Sequence, residues 1–260
     1  MAARRAAKAE SRPEGDTRTR ILDAAERLIA EHGFHGVSLR EITAEARANT
    51  AAVHYYFRGK EELLEAVVDR RAGIMVGERL KRINALTAGP QPPSLEALIL
   101  AYVAPGLTEC FDSGDLRKQF GRVRARFSQE TDPAMRAIMR RHFKEPGVQF
   151  LKAVAKIIPQ LTRRELQWRF HIMVGTLIYL MAQPGKVQAV DGETDTYDPD
   201  DVNEALRYYV PMLAAIFRAP PSSVAVFDAA VAEVNGALAR ASAPAIEPAT
   251  PKVTDDSTAT

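Results

Sequence analysis

The chain has 260 residues, 46% of them hydrophobic, which is enough to bury one substantial core or a small domain beside a larger one. Its 35 lysines and arginines against 33 acids leave a net charge of +2, too small to mark a nucleic-acid partner by total charge, so the distribution of charge has to be read instead. The one cysteine, Cys110, excludes an internal disulfide and a cysteine-only metal cage, and the longest apolar stretch, 172 to 182, is too short for a membrane span of about 20 residues.

Residues 1–16 mix Ala, Arg, Glu, Pro and Gly without a helical or strand period and lack the apolar run of a secretory signal, so they are read as a flexible basic arm of a cytoplasmic protein. A helix is predicted from Thr17. Ile21, Leu22, Ala25, Leu28 and Ile29 fall on one side of it, Arg20, Asp23, Glu26, Arg27 and Glu31 on the other, and Gly33 supplies the stop, after which Phe34 plugs the base of a small core. Ser38 followed by Glu41 three residues on is a capping box, which starts a second helix of about two turns ending near Ala46. Asn49 or Thr50 caps a third, with Ala52, Val53, Tyr56 and Phe57 turned inward and a stop at Arg58-Gly59; a fourth runs from Lys60 to about Thr87.

The second and third of these helices, joined by a tight turn and each with a polar face, have the form of a helix-turn-helix, in which the later helix enters the major groove of DNA. The residue types suit that use. Ala46, Ala51 and Ala52 keep the helices close and let backbone approach phosphate, while Val53 and Phe57 bury the back of the reading helix. Thr50, His54 and Tyr55 then face outward, where hydroxyl and imidazole groups can meet phosphates or base edges. Arg47, Arg58 and Lys60 flank them as phosphate partners, and Lys60 also opens a helix whose amides favour an anion. Ser38, Arg40, Asn49 and Ala51 complete the candidate DNA-binding set.

The stretch ILDAAERLIAEHGFHGVSLREITAEARANTAAVHYYFRGKEELLEAV, residues 21–67, closely resembles the DNA-binding domain of the TetR family of bacterial transcriptional regulators, including Phe34, the block Ser38 to Ile42, Val53, Tyr56-Phe57 and Lys60-Glu61-Glu62-Leu63. Two positions depart from the family pattern. Arg47 stands where a glycine is common in the turn, and His54 where the family has a tyrosine that contacts phosphate.

Beyond the Pro-rich break TAGPQPPS, 87 to 94, the pattern stays helical, and no useful period-two alternation appears. Helices are predicted at about 94 to 112, 115 to 128, 132 to 158, 162 to 182 and 202 to 218, with a kink at Pro105-Gly106 and a split at Pro146-Gly147. The segment 190 to 201 reads as an acidic loop. The expected class is all-α, with an arm at 1–16, a DNA-binding domain at 17–63, a helical domain at 64–220, one further helix within 221–240 and a disordered tail at 241–260.

The resemblance implies that the larger domain binds an effector and dimerises. FGRVRARFSQ at 120 to 129 and LQWRFHIMVG at 166 to 175 resemble a subgroup that responds to fatty acids or acyl-CoA; an aromatic or other amphipathic metabolite is the alternative. Pocket candidates are Tyr102, Phe111, Phe120, Arg122, Phe127, Met139, Phe143, Phe150, Trp168 and His171. The run from Arg117 to Lys144 is rich in bases, with only Glu130 and Asp132 opposed, and Arg122 with Arg126 or Arg136 with Arg140 offers an anion site on one helix face. Arg169 and His171 are read as polar groups of the pocket, an interface or the core.

Two helical stripes are predicted as the subunit interface: Leu166, Phe170, Val174, Leu177 and Met181, with Leu206, Tyr209, Leu213 and Phe217. Paired half-sites on DNA require a two-fold protein, so the expected partners are a palindromic operator, a small effector and a second copy of the chain, with no membrane. The role implied is a repressor released by its effector through a shift between two forms. No phosphate-binding glycine loop, nucleophile elbow or paired histidine motif points to an enzyme, and no cofactor, catalytic residue or metal ligand is expected. A helical adaptor that binds protein rather than DNA is the competing class.

Overall fold

The computed structural model describes residues 14–33, 35–111, 133–182 and 201–241. The predicted arm up to residue 13, Phe34, the helix at 115–128 with Phe120, Arg122 and Phe127, most of the acidic segment and the tail beyond 241 lie outside the described residues. Every regular element among those described is a helix.

The first three helices make a small three-cornered unit. α1 (Glu14–His32) begins three residues before the predicted start and ends at Gly33, whose φ of 75° lets its N–H reach the Ile29 carbonyl at 2.9 Å. α2 (Leu39–Glu45) and α3 (Thr50–Phe57) both pack on α1 and on each other. Ile21, Leu22, Ala25, Ile29, Val37, Ile42, Val53 and Phe57 form their common core. One expectation fails here: Glu26, assigned to the solvent side of α1, is fully buried. It is there because Arg70 of α4 (Lys60–Thr87) reaches back to both Glu26 and Asp23, the latter at 2.6 Å. Burial works against the Arg70 charge, yet the hydrogen bonds and charges of Asp23 and Glu26 outweigh it and hold the group above its ordinary pKa.

α4 joins two cores in one rod. Leu63, Leu64, Val67, Val68, Ala72 and Met75 belong to the core of the small unit, and Ile83 to a second one. Between them sits Arg79, fully buried, with its Nε donating to the Tyr102 carbonyl at 2.6 Å and its guanidinium 4.5 Å from the Tyr102 ring centre. α5 (Leu95–Phe111) is the axis of the second core, because its residues from Ala101 to Leu107 are all buried and it packs against α4 and against the helices at Pro133–Ile157, Arg163–Ala182 and Val202–Arg218. Pro105 lies inside this helix without ending it.

α6 (Pro133–Ile157) opens on a proline, a residue suited to the first helical position because its missing N–H has no partner there in any case. The predicted split at Pro146-Gly147 does not occur: the helix is continuous. Pro146 cannot donate to the His142 carbonyl, but a single missing bond is tolerated where both halves are packed. Ile138, Met139 and Phe143 lie against the first core and Phe150, Ala153 and Val154 in the second. Arg141 pairs with Glu65, and this ion pair ties the first half of α6 to α4.

α7 (Arg163–Ala182) and α8 (Val202–Arg218) close the second core and pack on each other. The stripes predicted for an interface are largely the buried ones: Leu166, Leu177 and Met181 on α7, and Leu213 and Phe217 on α8, face α5 and its neighbours. The apolar side chains left exposed are others, Trp168, Ile172 and Tyr179 on α7 and Tyr208 and Met212 on α8. α7 carries apolar residues on more than one face, so the packing of α5 decides which face turns inward, whereas α8 is one-sided, with Val210, Leu213, Ala214 and Phe217 on its buried face.

The described residues from 220 to 241 belong to a second unit. It contains α9 (Val224–Arg240), in which Val224, Phe227, Val231, Val234 and Leu238 recur at alternating spacings of three and four. No helix among the described residues is long and apolar enough to cross a membrane.

Candidate nucleic-acid interface

The interface is built from side-chain caps outward. Ser38 Oγ accepts the Glu41 N–H at 3.2 Å while a Glu41 carboxylate oxygen accepts the Ser38 N–H at 2.7 Å, so both partners of the capping box are in place. Hydrogen bonds from the Ser38 side chain and backbone hold the Glu41 carboxyl below the usual carboxylate range. Asn49 Oδ1 accepts the Ala52 N–H at 2.8 Å and starts α3. Two candidate contact residues, Ser38 and Asn49, are therefore engaged in holding the helices they precede.

The turn between α2 and α3 is short. Arg47 takes a left-handed conformation, φ 49°, and the Ala48 N–H reaches the Thr43 carbonyl at 2.9 Å. α3 stops in the same way, since its C-cap Arg58 is also left-handed, φ 52°, while Gly59 is extended. The stop foreseen at Arg58-Gly59 thus uses the arginine rather than the glycine as its left-handed residue. A carboxylate of Glu45 receives Arg27 of α1 at 2.9 Å, and Arg18 lies 5.3 Å over the Phe57 ring, so α1 grips the pair from behind.

The exposed side is the one predicted for contact. Val53 and Phe57 are buried, whereas Thr50, Ala51, His54 and Tyr55 are exposed, Tyr55 by 74%. Tyr56, read from sequence as inward, is half-buried against the core and meets Tyr55 edge to face. Arg40, Arg47 and Arg58 are exposed around this face and Lys60 is half-buried. Burial lowers the Lys60 pKa, against which Glu61 and Glu41 act in the opposite sense. The result is a small polar and aromatic ridge edged by cations, the form that suits a groove lined by phosphates.

Among the described residues, the effector candidates do not share one place. Tyr102 and Phe150 are buried together in the second core with Phe170 and Phe217, ring centres 5.0 to 5.8 Å apart along the chain of contacts. Met139 and Phe143 pack instead against the first core, and Trp168 and His171 lie exposed on α7. Phe111 ends α5, and Phe120, Arg122 and Phe127 fall outside the described residues. Arg169 takes the core role among those open to it: its Nη1 donates to the Ile216, Phe217 and Ala219 carbonyls at 2.9, 2.8 and 2.7 Å, closing the end of α8.

Sequence reading did not single out Arg20 or Arg70, which hold the reading unit together. Arg20 Nη1 donates to the Ala46 carbonyl at 3.0 Å and to the Arg47 carbonyl at 3.3 Å, and its Nη2 to Thr17 Oγ1 at 2.9 Å. Only the spatial return of the chain brings these groups together, and no local signal announces it.

Comparison with known proteins places this geometry in context. Residues 21–67 match the profile described as bacterial regulatory proteins, tetR family, and residues 100–215 match that of a tetracyclin repressor-like C-terminal domain. The nicotine-responsive transcriptional repressor HdnoR of Paenarthrobacter nicotinovorans is 47% identical over 51 residues, 20% of this chain and 26% of that protein. The probable transcriptional regulator YttP of Bacillus subtilis is 42% identical over 52 residues, 20% of this chain and 25% of that protein. The chain thus spans about a quarter of the length of these curated relatives. Among solved structures, FadR from Bacillus subtilis in complex with stearoyl-CoA superposes with a TM-score of 0.55 at 15% identity, covering 76% of this chain and 97% of that one. FadR from Bacillus halodurans gives 0.57 at 16%, covering 80% and 100%. At such identities the likeness is one of fold.

Proposed function

We propose that this chain, a member of the TetR family of bacterial regulatory proteins, is a ligand-responsive transcriptional regulator that reads duplex DNA through the exposed face of α3. The observation that carries the reading is the two-sidedness of α3: Val53 and Phe57 anchor it, while Thr50, His54 and Tyr55 stand exposed between Arg47 and Arg58.

The regulator acts as a homodimer. One helix of eight residues touches too little DNA for a specific complex, and a two-fold pair doubles the contact on a palindrome. The exposed stripe of Trp168, Ile172 and Tyr179 beside Tyr208 and Met212 supports α7 and α8 as the faces that meet their copies. The operating mode is repression relieved by an apolar or amphipathic effector, a fatty acid or acyl-CoA in the first place. That class is supported by the apolar and aromatic make-up of the second core and by the fold shared with a regulator solved with stearoyl-CoA. α4 and α6 each enter both cores, so a ligand that favours one packing of the second core biases the placing of α3.

Selection of binding sites from a random duplex pool tests this function. A palindrome with half-sites a helical turn or a multiple apart is expected, and a long-chain acyl-CoA is expected to release it. Recovery of no enriched sequence would reject the regulator, and release by aromatic metabolites but not by acyl-CoA would reject the acyl effector alone.

A further inference from the structure

Arg47 and Arg58 are the non-glycine residues with positive φ among those described, at 49° and 52°; Arg47 lies in the turn two residues before Asn49, the N-cap of α3, and Arg58 is the C-cap of α3. A left-handed backbone brings Cβ close to the following carbonyl oxygen, and arginine has none of the short side-chain hydrogen bonding that lets Asn or Asp accept it. Such residues persist where their surroundings fix them, and they gather at functional sites. Here the fixing groups are visible at both turns. Arg20 Nη1 donates to the Arg47 carbonyl at 3.3 Å and to the Ala46 carbonyl at 3.0 Å, anchored in turn on Thr17. At the far end the Arg58 N–H donates to the His54 carbonyl at 3.1 Å, and His54 Nδ1 lies 3.3 Å from the Arg58 carbonyl, to which it can only donate.

We infer that Arg20 and His54 are positioning residues that lock these two left-handed turns, so that Arg47 and Arg58 flank α3 as a two-point clamp on DNA phosphates. The inference rests on the DNA-reading role of α3. Its dimensions are compatible with this: eight residues at 1.5 Å each make α3 about 12 Å long, short enough to lie within a major groove about 12 Å wide, with the residues that flank it in reach of the bordering phosphates. Both arginines are exposed, and the nearest acid to Arg58, Glu62 at 4.0 Å, is an exposed partner that yields readily to phosphate.

The test measures affinity for a mixed-sequence duplex against salt concentration, together with the thermal midpoint of each variant. Arg47→Gln and Arg58→Gln are expected to flatten the dependence of log K on log salt by about 0.9 per arginine removed, with the midpoint unchanged. Arg47→Gly is expected to flatten it equally while raising the midpoint, since glycine accepts the left-handed turn freely. Arg20→Ala should flatten the slope beside the native Arg47 but add nothing in the Arg47→Gly background, and Arg20→Lys should recover part of it. His54→Ala should behave likewise toward Arg58. If the native chain binds with a salt-dependent affinity and both glutamine variants keep its slope, the clamp is wrong while the function stands. If Arg20→Ala flattens the slope equally in both backgrounds, its positioning role is overturned. A native chain with no salt-dependent affinity for duplex would remove both the clamp and the function.

Discussion

The Arg169 side chain of α7 donates to the Phe217 carbonyl at 2.8 Å and so closes the last turn of α8 from a helix 48 positions earlier in the chain. Three carbonyls share this one guanidinium, which is itself 6% exposed. Replacement Arg169→Met keeps the volume and removes the donors, leaving those acceptors without a charged partner. A loss of about 2 to 3 kcal/mol is expected by urea unfolding. A change within about 0.5 kcal/mol, the range of ordinary surface substitutions, would mean that solvent serves these carbonyls equally well.

Arg70 and Glu26 give a larger effect. Glu26 is fully buried, so removing Arg70 takes the guanidinium away from a carboxylate held in the core of the small unit. Arg70→Ala is expected to cost about 3 to 5 kcal/mol, and an apolar replacement of both partners much less. Equal losses from the single and the double change would show that packing rather than charge is at stake.

The capping box adds a pH dependence. Glu41 is held below its ordinary pKa chiefly by its hydrogen bonds with Ser38, so its contribution is present above the unfolded glutamate pKa and is lost as pH falls through the depressed folded value. The native chain should therefore be more stable than Glu41→Gln at neutral pH, and the gap should close in acid. Thermal midpoints of the two proteins across an acid titration check this; a gap that widens on acidification would reverse the assigned sign.

The two faces of α7 make opposite predictions. Trp168→Glu places a charge on the exposed stripe and is expected to yield a folded monomer by sedimentation, with unchanged helix content. Leu177→Glu places one in the second core and is expected to unfold it, since an unpaired buried charge has no compensation there. A dimeric Trp168→Glu protein would move the interface elsewhere.

How much of this could be read in advance depends on the range of the signal. Ser38, Glu41 and Asn49 locate α2 and α3 because a side-chain cap acts within three residues. The exposed face of α3 was legible over a similarly short range: Val53 and Phe57 are apolar and buried where Thr50 and His54 are polar and exposed. α7 offers no such contrast, as Leu177 and Tyr179 both suit a core, and the choice lies with α5. Glu26 reads as solvent-facing until Arg70, 44 positions away, is brought beside it. Arg79 is a charged residue on a long helix, and nothing local says that Tyr102 will enclose it. At Pro146 the rule that proline ends a helix gave way to packing on both sides, with Phe143 against one core and Phe150 in the other.

The reading role of α3 is tested most directly by equilibrium binding of the full chain to its selected palindrome and to a shuffled duplex of the same composition, at two salt concentrations. The account predicts a preference of about a thousandfold or more for the palindrome, weakened by added salt and lost when Thr50 and Tyr55 are replaced by alanine. Equal affinity for the two duplexes, or a preference that survives both replacements, would contradict it.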